Sequence, residues 1–226
     1  MAKRLDDDVD ENWLEENPFD DSTPDEEDIA SQDRYLLRRQ EEFRSAAEFV
    51  ARALSQLPDV QRVVLFGSVA APLKKEVPRF REYRRRGIEV WHECKDADLA
   101  VWVNHLDHLK ALQKARAQAL NDLFLTKNVG VAHHQVDVFL MEPGADRYLG
   151  RLCCFGTCPK GKEECHVPGC GTKPFLKQQK RFQFRKDALH GSPTFTLYER
   201  LSVKEPQARR SEPGSPMLSH SIGWAG

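Results

Sequence analysis

Three short apolar segments, each with polar residues at defined positions, constrain the fold of this chain more than any other feature. The first segment, residues 63–68, is an apolar run that ends on Gly67 and Ser68. Such a run predicts a buried strand that turns sharply into a helix, and the turn leaves backbone N–H groups free to bind an anion. We therefore expect Gly67 and Ser68 to form a phosphate-binding turn.

The other two segments carry acidic residues within apolar strands. Asp96 and Asp98 alternate with apolar residues, and because successive side chains of a strand point to opposite faces, both carboxylates emerge on the same face. Asp137 lies inside another apolar strand, where an unpaired carboxylate would be costly to bury. Three carboxylates that converge beside a phosphate-binding turn form a divalent-metal site, and their hard oxygen ligands suit Mg²⁺.

The order of these motifs resembles the signature of the DNA polymerase beta nucleotidyltransferase superfamily, particularly its small bacterial members. In that signature a Gly-Ser turn precedes an Asp-x-Asp strand and a third Asp follows on a later strand, as in residues 60–141 here. The spacing departs from the family, because 27 residues lie between Ser68 and Asp96 where small members usually have fewer. Either an element is inserted between the two motifs, or one of them matches by accident.

This resemblance implies an α/β fold in which a small mixed sheet is flanked by helices. It also implies a nucleotidyltransferase that moves a nucleoside monophosphate from an NTP to a hydroxyl acceptor and releases pyrophosphate. Asp96, Asp98 and Asp137 would hold a pair of Mg²⁺ ions, and Asp137 is also a candidate for taking up the acceptor proton. Gly67 and Ser68 would bind the β- and γ-phosphates. The acceptor, whether a small molecule, a tRNA or a protein, stays open.

The apolar spacing predicts the elements that carry these motifs. Apolar residues recur at helical intervals over residues 31–57 and 106–124, and an apolar segment over residues 129–141 predicts the strand of Asp137. In that strand His133 and Gln135 would share a face with Asp137. The order strand, helix, strand after Asp96 predicts a mixed sheet.

The segment between Ser68 and Asp96 interleaves basic residues with aromatic ones. Residues 74–87 hold most of them, including Phe80 and Tyr83. This segment is either a surface for a triphosphate or a nucleic-acid backbone, or a solvated helix that ends at Gly87.

Charge is distributed unevenly along the chain. Residues 1–30 hold 13 acidic and two basic residues, a net charge of −11, and the remainder holds 32 basic and 22 acidic residues, a net charge of +10. A basic body is typical of proteins that handle phosphates or nucleic acid. We expect residues 1–30 to be an acidic disordered tail and residues 201–226, rich in Ser, Pro and Gly, to be a flexible tail.

Five of the six cysteines fall within 18 residues, among Gly and Pro and with little apolar surface. Such a segment is ordered most readily by structural, tetrahedral Zn²⁺. The symmetric choice of ligands is Cys153, Cys158, Cys165 and Cys170, with Cys154 or His166 as a substitute for one of them. We therefore expect a nucleotidyltransferase domain over residues 31–145, followed by a Cys-rich zinc module and a basic segment over residues 146–200.

No apolar run is long enough to cross a bilayer, and no apolar signal region follows Met1. We therefore expect a cytoplasmic protein without a membrane partner. The alternative to an enzyme is a non-catalytic protein that binds nucleic acid through its basic body and its zinc module.

Overall fold

The structure, a computed structural model, describes residues 23–155, 173–178, 183–185 and 187–200. The described residues form four α-helices and eight strands, with a 3-10 turn at His133–Gln135. In order they are α1 (Glu26–Ser55), β1 (Val60–Phe66), β2 (Lys75–Glu76), α2 (Arg81–Arg86), β3 (Val90–Trp91), β4 (Ala97–Val103), α3 (Leu109–Lys127), β5 (Val136–Glu142), β6 (Arg147–Leu152), β7 (Leu176–Lys177), α4 (Asp187–His190) and β8 (Phe195–Glu199). No helix of these residues is both long and apolar enough to span a membrane.

Six strands form one mixed sheet in the order β7-β6-β5-β4-β1-β8. The central pair, β4 and β5, is parallel and is joined through α3, whereas the other neighbouring strands are antiparallel. The predicted α/β class, with a mixed sheet and flanking helices, is confirmed. Because β6, β7 and β8 belong to this sheet, residues that follow position 146 contribute to the same core as the central strands.

The two faces of the sheet differ, because side chains alternate along each strand. One face is apolar and packs with α1 and α3 in the main core, where Leu99 and Val138 are completely buried. The opposite face carries a smaller cluster that includes Phe66, Trp102 and Phe139. Asp98 shares this second face with Trp102, and Asp137 shares it with Phe139. The acidic residues therefore lie on the face that does not pack against the long helices.

Helix α1 begins earlier than the predicted start at residue 31. Asp25 caps it, because its side chain accepts hydrogen bonds from the backbone N–H groups of Glu27 and Asp28 at 2.8 and 2.9 Å. Acidic residues in the first turn also interact favourably with the helix dipole. The same acidic residues that suggested a tail thus form the start of the helix.

The segment between the two motifs, residues 69–95, is an ordered element that we call the spacer. Its strands β2 and β3 pair as a hairpin around α2, which ends at Gly87 in the left-handed conformation with φ 63°. The predicted helix end at Gly87 is therefore confirmed. Asp33 of α1 holds the hairpin, since it accepts hydrogen bonds from Lys75 Nζ at 2.8 Å and from the backbone N–H of Trp91 at 2.9 Å.

The predicted strand over residues 129–141 is wrong in its first half. Helix α3 extends to Lys127 and ends at Asn128 in the left-handed conformation, with φ 54°. The Gln135 side chain then accepts a hydrogen bond from the Ala132 backbone N–H at 3.1 Å and stabilises the 3-10 turn. The strand begins only at Val136, so His133 does not share a strand face with Asp137.

The described residues contain part of the predicted zinc module. Cys153 is buried at the end of β6, where its backbone N–H donates to the carbonyl of Phe175 at 2.8 Å, and the next residue, Cys154, is half-buried. The remaining proposed ligands, namely Cys158, Cys165, Cys170 and His166, lie outside the described residues, as do residues 1–22 and 201–226. The zinc site therefore stays a prediction.

Candidate metal centre

The pairing of β4 with β5 brings two of the candidate acids together. Asp98 and Asp137 are partners in this parallel register, and Asp96 precedes β4 by one residue. One carboxylate oxygen from each of the three residues lies within 4.8 Å of the others. Side chains that are distant in the sequence thus form one cluster, which we call the acidic triad. Three hard oxygen donors at this separation fit a divalent cation such as Mg²⁺.

The Gly-Ser turn lies directly against the acidic triad. Strand β1 pairs with β4 so that Phe66 is opposite Asp98, and Gly67 follows at the end of β1 with φ 78°. A Cβ atom at position 67 would lie 2.6 Å from the Asp98 Oδ2 atom. Glycine is therefore required here both by the backbone conformation and by the approach of the carboxylate.

Two side chains of α1 hold the backbone of this turn, and sequence reasoning assigned them no such role. The Gln40 amide donates to the Ala71 carbonyl at 2.8 Å, and Arg44 Nε donates to the Val69 carbonyl at 3.0 Å. Gln40 is only 6% exposed although it is polar. The sequence feature that could have indicated its burial is its position on the apolar face of α1, between Leu36 and Phe43.

Burial and mutual repulsion disfavour the charged forms of the triad. Burial raises the pKa of Asp98 to about 7, and the charges of Asp96 and Asp137 add to this effect. Burial also raises the pKa of Asp137, against the opposing effect of the Arg151 guanidinium. A bound cation would offset this repulsion and favour the ionised carboxylates.

Two arginines lie close to Asp137 and were not anticipated from the sequence. Arg151 on β6 donates to Asp137 Oδ2 at 2.6 Å, and its guanidinium lies 4.8 Å from the centre of the Phe139 ring. Arg116 on α3 is 1% exposed and donates to the backbone carbonyls of Val136 at 3.3 Å and Cys153 at 2.7 Å. Arg151 is thus a direct partner of the third carboxylate, while Arg116 holds the backbone beside it.

A cleft with a volume of about 290 Å³ opens beside the triad. Asp96 and Ser68 border it on one side, and the spacer supplies Arg79, Phe80 and Trp91 to its walls. Among the basic residues of segment 74–87, Arg79 is therefore the one that lines this cleft.

No protein-family model matches this chain, and the comparisons found neither a curated protein nor a solved structure that matches it. The function is therefore argued from the geometry of the site.

Proposed function

We propose that this chain is a Mg²⁺-dependent nucleotidyltransferase of the DNA polymerase beta type. The observation that supports this proposal is the convergence of three carboxylates within 4.8 Å, next to a glycine turn that contacts one of them. The reaction would transfer a nucleoside monophosphate from an NTP to a hydroxyl acceptor. The acceptor oxygen forms a bond to the α-phosphorus, and the bond from that phosphorus to the β-phosphate oxygen breaks.

Each site residue has a distinct role in this proposal. Asp96, Asp98 and Asp137 would hold Mg²⁺, which when bound lowers the pKa of the acceptor hydroxyl and neutralises charge on the phosphates. Asp137 takes up the proton of the acceptor hydroxyl. The backbone N–H groups of the turn at Gly67 and Ser68 bind the β- and γ-phosphates, so that pyrophosphate leaves with the electron pair of the broken bond.

The turn and the triad are held by different parts of the chain. Gln40 and Arg44 fix the turn from α1, whereas the register of β4 and β5 fixes Asp98 and Asp137. This arrangement keeps the phosphate-binding groups and the carboxylates in a defined geometry before substrate binds, which is where most of the catalytic benefit of such sites arises.

The proposal is tested by incubating the protein with each α-³²P-labelled NTP, Mg²⁺ and a cell extract. We expect label to appear in an acceptor with the wild type and to be lost with Asp98→Asn. Asp122→Asn, which changes an exposed carboxylate on α3, is the matched control and should retain transfer. Absence of Mg²⁺-dependent transfer from every NTP in the wild type would refute the proposal.

A non-catalytic nucleic-acid-binding protein is the second candidate. The observation that favours it is the exposure of Arg81, Arg84, Arg85 and Arg86 on α2. A protein of this kind would bind RNA or DNA with an affinity that falls steeply as salt increases, because the bound phosphates release counterions. Asp98→Asn would leave that affinity unchanged or would raise it, since it removes a negative charge.

A further inference from the structure

We infer that the cleft beside the acidic triad binds the nucleoside part of the NTP, with its base stacked on Trp91. This inference rests on the proposed nucleotidyl transfer, and it assigns a role to the spacer. The ligand is thus an aromatic, heterocyclic ring attached to a ribose, with its phosphates directed towards the Gly-Ser turn.

The cleft and the proposed catalytic site share two residues. Ser68 belongs to the phosphate-binding turn and Asp96 belongs to the triad, and both also line the cleft. A nucleotide with its β- and γ-phosphates on the turn and its α-phosphate at the triad must place its ribose and base immediately beside them. The cleft begins at that position.

On the side of Phe66 and Phe139, the triad is bordered by packed side chains. Phe66 and Phe139 are only 6% and 5% exposed, and both rings contact Phe184, with centroid distances of 5.7 and 5.6 Å. Arg151 lies over Phe139 and contacts Asp137. A base on that side would have to displace this aromatic cluster, so the cleft is the favoured location.

The side chains that line the cleft suit a nucleoside. Trp91 and Phe80 present aromatic rings, of which Phe80 is 42% exposed, and Leu36 adds an apolar surface. Trp91 is half-buried, and aromatic rings at the wall of a cleft stack on bases with little dependence on base identity. Arg79 and Lys95 add positive charges, and Glu76 and Glu93 in the same lining add negative ones. The volume of about 290 Å³ is at the lower end of the range for small-ligand sites, which fits one base and its ribose.

Trp91 is held in place without a ligand. Its backbone N–H donates to Asp33 at 2.9 Å, and Lys75, which also contacts Asp33, places its ammonium 5.5 Å from the centre of the Trp91 ring. The preceding residue, Val90, is completely buried. Because the ring is positioned before binding, stacking on it costs little conformational entropy.

Calorimetry with the full chain, Mg²⁺ and the α,β-methylene analogues of ATP, GTP, CTP and UTP tests this inference. These analogues bind without being cleaved at the bond that the reaction breaks. We expect Trp91→Ala to raise the Kd of a bound analogue by roughly 5- to 150-fold, the effect of losing one stacked base. A base stacked on Trp91 should also quench the fluorescence of that residue. Trp91→Phe should therefore retain most of the affinity but lose this quenching.

Two matched controls accompany this test. Arg79→Met should weaken binding, whereas Arg85→Met, which alters an arginine of α2 that does not line the cleft, should not. Phe124→Ala removes an exposed ring on α3 and should leave the Kd unchanged. A thermal unfolding midpoint equal to that of the wild type establishes that each variant is folded.

The outcomes separate this inference from the proposed function. If the analogues bind to the wild type and to a folded Trp91→Ala protein with equal Kd, the inference is overturned, although nucleotidyl transfer can still occur. If no analogue binds to the wild type, the inference is overturned as well. Binding that depends on Trp91, in a protein that transfers label to no acceptor, supports the cleft and refutes the enzyme.

Discussion

On the two faces of the central sheet, neighbouring residues of β4 and β5 have opposite effects on stability. On the helix-facing side, Leu99 and Val138 are completely buried in an apolar core, and their burial stabilises the fold. On the other side, Asp98 and Asp137 are partly buried with like charges close by, and burial raises the pKa of both carboxylates. Leu99 and Val138 thus stabilise the fold, whereas their neighbours Asp98 and Asp137 destabilise it when they are ionised. The comparison favours the binding role that we propose for the acidic triad.

The largest expected effect comes from the helix-facing side. Leu99→Ala removes a fully buried side chain from the main core and should lower the free energy of unfolding by about 2–5 kcal/mol. Urea denaturation followed by circular dichroism measures this. A loss of less than about 0.5 kcal/mol, typical of surface changes, would contradict the assignment of this face to the core.

Asp98→Asn should have the opposite effect on stability. The unfolded carboxyl has an ordinary pKa of 3.8, whereas the folded one titrates near pH 7, so between these values the folded state retains a proton that the unfolded state has lost. Stability therefore falls as pH rises through this window and levels off above it. In the absence of divalent cations the variant should exceed the wild type at pH 8, by at most about 4 kcal/mol, since one pKa unit is about 1.4 kcal/mol.

The measurement is the difference in unfolding free energy between the two proteins at pH 5 and pH 8, with EDTA present. This difference cancels the contribution of titrating groups away from the triad, such as His108, whose pKa Asp59 raises. A variant that gains nothing relative to the wild type between pH 5 and pH 8 would contradict the raised pKa of Asp98 and the burial that mainly causes it.

Gly67→Ala tests the close approach between the Gly-Ser turn and Asp98 of the triad. The added methyl group would approach Asp98 Oδ2 at 2.6 Å, and the backbone would keep a conformation that alanine disfavours. We expect a loss of about 1–3 kcal/mol of stability. Gly87→Ala is the matched control, because Gly87 has a similar φ of 63° but no atom lies within 4 Å of the methyl group that alanine would add there. Equal losses for both variants would show that the contact with Asp98 contributes nothing.

The smallest effect is expected for Gln40→Met, which keeps the size of the side chain but removes the hydrogen bond to the turn. We expect about 1–2 kcal/mol of destabilisation, because the Ala71 carbonyl loses its donor. In the transfer assay the same variant should raise the KM for the NTP, since the Gly-Ser turn that we propose to bind the phosphates is less well held. A KM equal to that of the wild type would indicate that the turn keeps its geometry without α1.

The elements that could be predicted from the sequence are those with a periodic pattern and local end signals. The apolar run of β4 after Asp96 and the apolar spacing of α1 and α3 fall into this group, as does the helix end at Gly87. The acidic triad could be predicted because Asp98 and Asp137 each stand between apolar residues of a strand, and because Asp96 lies two residues before Asp98. Its assembly from distant segments is confirmed by the structure, whereas the reaction that it would perform stays a proposal.

The features that were missed depend on contacts between distant segments. Arg151 and Gln40 look like ordinary polar residues in the sequence, and only the sheet register and the packing of α1 bring them to Asp137 and to the turn. The prediction that β5 begins at residue 129 was wrong for a similar reason, since Gln135 forms a local hydrogen bond that competes with strand formation. Side-chain hydrogen bonds of this kind leave no periodic signal.

Strand β8 covers the outer edge of β1, where its last residues pair with Arg62 and Val63. Chains shortened to end before Phe195 would leave the backbone of β1 with open donors and acceptors along an apolar edge. Such an edge recruits strands from other molecules. Aggregation of C-terminally shortened versions is therefore the expected outcome, and preparations of this protein should keep the chain intact through Glu199.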